Sequence, residues 1–355
     1  RNTLMRCMKR KVYPMTLTSH HLELSATATT PLALDDQAGS AIRGAVVGGL
    51  LEQFCTNKGA PSCAACPFSA PGINQHPLCA VAALIAPMRE EGEPGGTQRP
   101  RPYIIRPPLA DSARTYAPGE TLTFGLTLLG PTAQLFPYIF MAAQAIERNG
   151  LGRRMAANNG RRGGLHIMAI SAVHMLRDER QLLYQRGHQQ VQAPGLPVTP
   201  EDVRAAAAAL PSERLTLHFH TPLRLVEDKR LVHRFEPRPF FARLARRLDE
   251  LARAYGGGQP ISDYLALPDY ITRIQVAADE TRWIDVVSYS ARTRSSTPIG
   301  GLVGSVTLAG ELAPLRELLV WGSLLHVGKN AVKGDGWYSI GAGSPGEGAH
   351  DALDR

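Results

Sequence analysis

The sequence predicts an α+β chain of two tandem ferredoxin-like (RRM-like) domains, with a Cys-rich insertion in the first and a glycine-rich loop near the C-terminal end. Three observations carry this. The length, 355 residues, corresponds to about two domains. The order strand, helix, strands, helix, strand occurs twice, as expected of antiparallel sheets covered by helices on one face. An Ala-rich helix over Pro200–Leu210 stands between the two runs and reads as their link.

In the first run, His20–Leu34 mixes β-branched and apolar residues in partial alternation and reads as a strand. Ala41–Phe54 reads as a helix in spite of Gly44, Gly48 and Gly49. Each glycine there costs about 1 kcal/mol relative to alanine, so close packing is the expected return. Cys55–Cys79 is a loop and Arg99–Pro108 an extended, Pro- and Arg-rich segment. Glu120–Leu129 alternates as a strand, and Thr132–Arg148 is a helix ended by Gly150. Leu151–Gly164 is a loop, Leu165–Val173 a strand, and Gln181–Pro197 a polar excursion.

The second run opens with the strand Leu215–Leu225, where Leu215, Leu217 and Phe219 share a face. Phe240–Tyr255 is an amphipathic helix with Leu244, Leu248, Leu251 and Tyr255 as its apolar stripe. Strands follow at Ile274–Ala277, Trp283–Tyr289 and Gly304–Leu308, then a helix over Ala313–Leu325 and a last strand closing at Ile340. The expected boundaries are an N-terminal extension over 1–14, domains over 15–210 and 211–340, and a flexible tail over 341–355.

Composition narrows the function. A formal net charge of +8 favours a polyanionic partner. With 44% hydrophobic residues the chain is not disordered. No run of about 18 apolar residues is present, so no spanning helix is expected. The basic start, Arg1–Pro14, is followed by no apolar run of secretory length. Five cysteines make no disulfide scaffold, and a cytoplasmic protein is expected.

Three segments carry chemistry. Leu151–Gly164 places Arg153, Arg154, Arg161 and Arg162 on glycine hinges with no acid, a pattern suited to phosphate contact; a solvated charged loop is the alternative. Cys55, Cys63, Cys66 and Cys79 form C-x7-C-x2-C-x12-C, and four thiolates suit tetrahedral zinc or an iron–sulfur cluster; unligated thiols are the alternative, and His76 is a substitute ligand. Leu318–Ile340 surrounds His326, Lys329, Lys333 and Tyr338 with Gly322, Gly328, Gly334 and Gly336, and glycines let backbone amides approach an anion. It is not a P-loop: Gly322 to Gly328 is one residue too long, and Asn330 stands where Ser or Thr would hold Mg²⁺.

That last segment, with Trp321-Gly322, Leu325-His326-Val327-Gly328-Lys329 and Gly334-Asp335-Gly336-Trp337-Tyr338, resembles the C-terminal signature of the Cas-six-type CRISPR RNA-processing endoribonucleases of the RAMP superfamily. Tyr289-Ser290, Arg292, Arg294 and Pro298–Gly304 resemble the family's YSxRQ…PxGGLVG stretch, with Thr293 in place of Gln. Thr221-Pro222-Leu223-Arg224, Gly39-Ser40 with Ile42-Arg43-Gly44, Arg101-Pro102-Tyr103 and Gly150–Arg153 also have counterparts. The likeness runs from about residue 20 to 340.

The resemblance implies binding of CRISPR repeat RNA and metal-independent cleavage, in which a ribose 2′-OH attacks the adjacent phosphate. It also implies other Cas proteins of an effector complex as partners, and no membrane. No catalytic cofactor is expected; any zinc or cluster is structural. The family's first-domain histidine has no counterpart, since no His lies between Asp35 and Gln75. The catalytic candidates are therefore His326, Lys329, Tyr338 and, from the facing domain, Arg43. Helix capping for His326 and core packing for Tyr338 are the alternatives. Lys333, Arg292 and Arg294 join the four loop arginines as RNA contacts. The rival functions are a non-cleaving crRNA-binding subunit of an effector complex and a metal-dependent enzyme using the cysteines.

Overall fold

The computed structural model describes residues 16–69, 79–89, 93, 96–109, 114–257, 267–290 and 295–341. The expected N-terminal extension and C-terminal tail, Cys7, His76, Arg292 and Arg294 lie outside the described residues.

The first sheet is built from β1 (Ser19–Ala28), β2 (Tyr103–Arg106), β3 (Thr121–Leu129), β4 (Leu165–His174) and β5 (Glu179–Gln185), in the order β2-β3-β1-β4-β5, all antiparallel. Helices α1 (Ala38–Phe54) and α2 (Phe136–Asn149) cover one face. Alternation decides which face: Leu22, Leu24 and Ala26 of β1 join the cluster containing Ile42, Val46, Leu50 and Ile139. His21 points the other way.

A helix α3 (Pro200–Ala209), started by a reciprocal Thr199–Asp202 capping box, leads to the second domain. There β6 (Arg214–Leu223), β7 (Ile274–Asp279), β8 (Gly301–Gly310) and β9 (Tyr338–Gly341) run β7-β8-β6-β9, with α4 (Pro237–Tyr255) and α5 (Arg316–Leu325) as cover. Both sheets thus place the first strand between the third and fourth, the ferredoxin-like order. Leu17, Ile104 and Leu129 of the first domain belong to the second domain's core cluster, so the two units share apolar packing. No helix of the described residues is long and apolar enough to cross a membrane.

Several expectations change in detail. Only Gly49 of the three helix glycines lies at a close approach, where a Cβ would stand 2.9 Å from the Ala142 carbonyl on α2; Gly44 and Gly48 face open space. The polar excursion at Gln181 begins instead as edge strand β5, because Leu183 is buried in the first core. The arginine loop is a β-hairpin, Leu151–Met155 against Arg161–Gly163. The Cys-rich segment continues into a short helix, Ala80–Ile85, that sequence reading did not anticipate.

Candidate functional site

The glycine-rich loop after α5 is the structural hinge of the site. His326 ends α5 with φ +60°, outside the helical range. Arg247 from α4 caps the same end: its guanidinium donates to the Leu325 carbonyl at 3.1 and 2.9 Å and to the His326 carbonyl at 2.9 Å. Burial lowers Arg247 to about 10, still a cation at neutral pH. The loop is then stitched to the end of β6. The Gly336 amide donates to Pro222 O (3.0 Å) and the Lys329 amide to Arg224 O (3.0 Å). Thr221 Oγ1 donates to Gly334 O at 2.7 Å while accepting from the Trp337 amide at 2.9 Å.

The loop reaches across to the first domain at two places. Gly334 packs against Pro107 and the Ile105 carbonyl of the β2 region. Gly39, in the first turn of α1, lies so close to Lys333 that a Cβ on it would stand 1.8 Å from the Lys333 carbonyl oxygen. The first turn of α1, which has no acidic side chain, therefore abuts the loop. Beside this contact a cleft of about 270 Å³ opens between the domains, lined among others by Gln37, Ser40, His220, Arg282, Lys333 and Asp335.

Lys333, which lines the cleft, is half-buried and lies within electrostatic reach of two further half-buried cations, Arg43 and Arg101. Lys333 is lowered mainly by desolvation and then by Arg43; Arg101 adds to the same repulsion. Arg101 is likewise lowered by desolvation and then by Arg43. Arg43 and Lys333, nearly 300 residues apart in the chain, thus act on one another electrostatically, a pairing the sequence reading did not make. Arg101 is the addition that sequence reading missed as a site residue, although its Arg-Pro-Tyr motif was visible. Such a set of positive side chains beside a helix N-terminus suits a phosphate.

Asp335 shares the cleft. It is 8% exposed, one carboxylate oxygen has no hydrogen-bond partner among the described residues, and desolvation pushes it up to about 7. Its effect on stability has a definite sign. The folded state keeps a proton that the unfolded chain releases near pH 4, so this contribution is lost as pH rises through about 7. His21, His220 and His326 act oppositely: burial lowers each, and their contribution is lost as pH falls below about 6.5. Asp335→Asn is therefore expected to gain stability relative to wild type, by roughly 2–3 kcal/mol between pH 5 and pH 8. Urea unfolding at the two values checks this; an unchanged difference contradicts it.

The other expected residues divide clearly. His326 is 2% exposed, stacks on Trp337 at 5.9 Å and 4°, and has an Nδ1 with no partner among the described residues. Tyr338 is 1% exposed and donates its hydroxyl to Leu319 O at 2.7 Å. Burial raises this phenol well above its ordinary range. Both side chains thus lie in the interior beneath the loop rather than in the cleft. Lys329 is exposed and is not among the charges acting on Lys333. His21 is also interior, held between Ser19 and Thr127 hydroxyls at 2.9 Å each.

Arg153, Arg154, Arg161 and Arg162 are all exposed on their hairpin, and no ion pair engages them among the described residues. The hairpin is anchored on the segment leading into α1: Asn158 donates to Pro31 O at 2.7 Å, and Gly163 lies against Leu32. Cys55, Cys63, Cys66 and Cys79 are half-buried; among the described residues no three His, Cys, Asp or Glu side chains gather to hold a metal.

Comparison with known proteins agrees with this architecture. Residues 17–196 match a family model described as an N-terminal domain, and residues 217–338 match the family described as CRISPR-associated endoribonuclease Cas6. No curated protein matches the chain. Among solved structures, a Thermus thermophilus Cas6 product complex is 17% identical with a TM-score of 0.52, covering 91% of this chain and 99% of that one. The same Thermus protein in a second structure is 15% identical with a TM-score of 0.50, covering 91% and 98%. A partial Cas6-RT-Cas1–Cas2 complex is 13% identical with a TM-score of 0.58, covering 95% of this chain and 48% of that one. At these identities the structures show the shared fold. With both domains in the expected order, residues 217–338 carry the domain of the CRISPR-associated endoribonuclease Cas6 family, and the chain as a whole shares the Cas6 fold.

Proposed function

We propose that this chain binds CRISPR repeat RNA at the domain junction and cuts it there as a metal-independent endoribonuclease. The observation that supports this most is the Arg43–Arg101–Lys333 cluster beside the interdomain cleft. In the proposed reaction the 2′-OH gives up its proton, its oxygen bonds to phosphorus, and the P–O5′ bond breaks as O5′ takes a proton. The products are a 2′,3′-cyclic phosphate and a 5′-OH. The three cations supply positive charge where negative charge develops on the phosphoryl oxygens. Asp335, with a carboxyl near neutrality at the cleft, suits proton transfer. His326 and Tyr338 act as positioning residues, shaping the turn and fixing the loop on α5. The hairpin arginines bind RNA phosphates outside the cut site, where A-form geometry presents backbone rather than readable major-groove edges. A zinc or iron–sulfur cluster at the four cysteines has no step in this scheme. Other Cas proteins are proposed partners, in line with the Cas6-RT-Cas1–Cas2 neighbour.

A second reading, a crRNA-binding subunit that does not cut, is favoured by one observation. The histidine lining the cleft, His220, is lowered to about 4 by burial and hydrogen-bonded to Ser339, so it is a poor base at neutral pH. Incubation with 5′-labelled repeat RNA in EDTA separates the two. A single cut leaving a cyclic phosphate is the expected result; tight binding without a cut establishes the second reading.

A further inference from the structure

Outside the cleft, the second domain carries a stack of side chains to which the proposed chemistry assigns no step, its indole resting partly against the core. The Arg224 guanidinium lies 5.8 Å from the centroid of the Trp283 ring, and the His233 ring lies 4.2 Å from the same indole at 41°. The stack is held in place from below and from the side. Arg224 donates to Gly300 O at 2.7 Å, and Trp283 Nε1 donates to Asp285 at 2.9 Å. Trp283 is a strand residue paired with Leu302 on β8. The other two tryptophans, Trp321 and Trp337, are 1% and 9% exposed, whereas Trp283 is half-buried and His233 is exposed.

Charge surrounds this platform. Arg282 and Arg234 are the chain neighbours of Trp283 and His233, and Lys229 and Arg230 lie on the small hairpin just before His233. All four are exposed, and no ion pair engages them among the described residues. Glu227, Asp228, Glu236, Asp279, Glu280 and Asp285 are acids of the same region, and Asp285 is occupied by the indole. The strand bearing Trp283 also feeds the cleft, which Arg282, Ile284 and Asp285 help to line. An aromatic surface rimmed by cations is how proteins hold unpaired bases without reading their sequence: every base has a π-face, and the cations follow the backbone.

We infer that the Arg224–Trp283–His233 stack is a landing platform for an unpaired nucleobase of single-stranded RNA leaving the interdomain cleft. The exposed imidazole of His233 is the contact face, Trp283 its rigid support, and Arg234 and Arg282 the phosphate contacts. The inference rests on the reading that the cleft takes RNA, but it can be tested apart from cleavage.

The first readout is intrinsic tryptophan fluorescence during titration with a single-stranded hexaribonucleotide. Wild type is expected to quench, because Trp283 is the tryptophan near the surface. His233→Ala should lose most of the effect, and Trp283→Phe, which keeps an aromatic support but removes the reporter, should abolish the signal. The second readout is affinity for a repeat stem with and without a single-stranded flank. The flank is expected to tighten wild-type binding about tenfold, the scale of one stacked base. His233→Ala and Trp283→Ala should lose that gain with stem affinity unchanged, while Trp283→Phe should keep it. If Trp283→Ala fails to fold, the exposed His233→Ala still decides. Hexamer quenching in a protein that neither binds nor cuts the repeat keeps the platform and removes the processing role. A flank gain that survives His233→Ala and Trp283→Ala overturns the platform, even in a protein that cuts the repeat.

Discussion

Replacing Arg43 and Lys333 together by alanine is expected to slow cleavage of repeat RNA by about 10³-fold, with a much smaller loss of affinity. One donor aimed at developing charge is worth roughly 10²–10³ in rate, and these two cations lie within electrostatic reach of one another. Each is half-buried, which strengthens its action on a phosphate. The four hairpin arginines provide the contrast. They are exposed, with no ion pair among the described residues, so Arg153, Arg154, Arg161 and Arg162 changed to alanine should weaken binding and flatten its salt dependence, by roughly 0.7–0.9 in log–log slope for each phosphate left without its arginine. Single-turnover rates at saturating protein, beside filter binding over a salt series, separate the two sets. Rate loss in the hairpin variant with none in the Arg43/Lys333 variant would place the chemistry elsewhere.

The two-domain order was legible because alternation in β1 and β6 and the apolar stripe of α4 are local properties of the chain. Leu215, Leu217 and Phe219 are all core residues, as their spacing requires. The nearness of Arg43 to Lys333 was not legible, since nothing local connects residues on different domains; the family likeness set Arg43 opposite His326, Lys329 and Tyr338 instead. What the sequence does not display is depth. His326, Lys333 and Tyr338 stand in one glycine-rich run, yet packing of that run over β6 and α5 buries His326 and Tyr338 and leaves Lys333 at the cleft. Arg101 was hidden for a related reason: its place in the cluster is set by β2 pairing with β3 and by its bond to Ile85 O at 2.8 Å, both long-range. The edge strand β5 was missed because edge positions carry polar residues on their outer face, which dilutes alternation.

Gly39→Ala tests whether the domain junction itself governs function. On helix propensity alone the change should stabilise α1, since alanine is favoured over glycine by about 1 kcal/mol within a helix. The junction reverses that sign. A Cβ at Gly39 would stand 1.8 Å from the Lys333 oxygen and 3.0 Å from its carbonyl carbon, both backbone atoms. The loop cannot yield easily there. The Gly334 amide bonds to Ala331 O at 3.1 Å, its carbonyl accepts from Thr221, and its Cα side meets Pro107. Relief therefore requires α1 to move away from the loop by more than an ångström, carrying Arg43 from Lys333. Displacements of about 1 Å in catalytic geometry cost on the order of 10²-fold in rate. Gly39→Ala is thus expected to lower the unfolding midpoint by several degrees and to reduce cleavage about 100-fold. Gly44→Ala, one turn later on the same helix with open space around it, supplies the control: it should raise the midpoint and leave cleavage unchanged. If the two variants behave alike in thermal unfolding and in cleavage, the contact between α1 and the glycine loop does not set the geometry of the site.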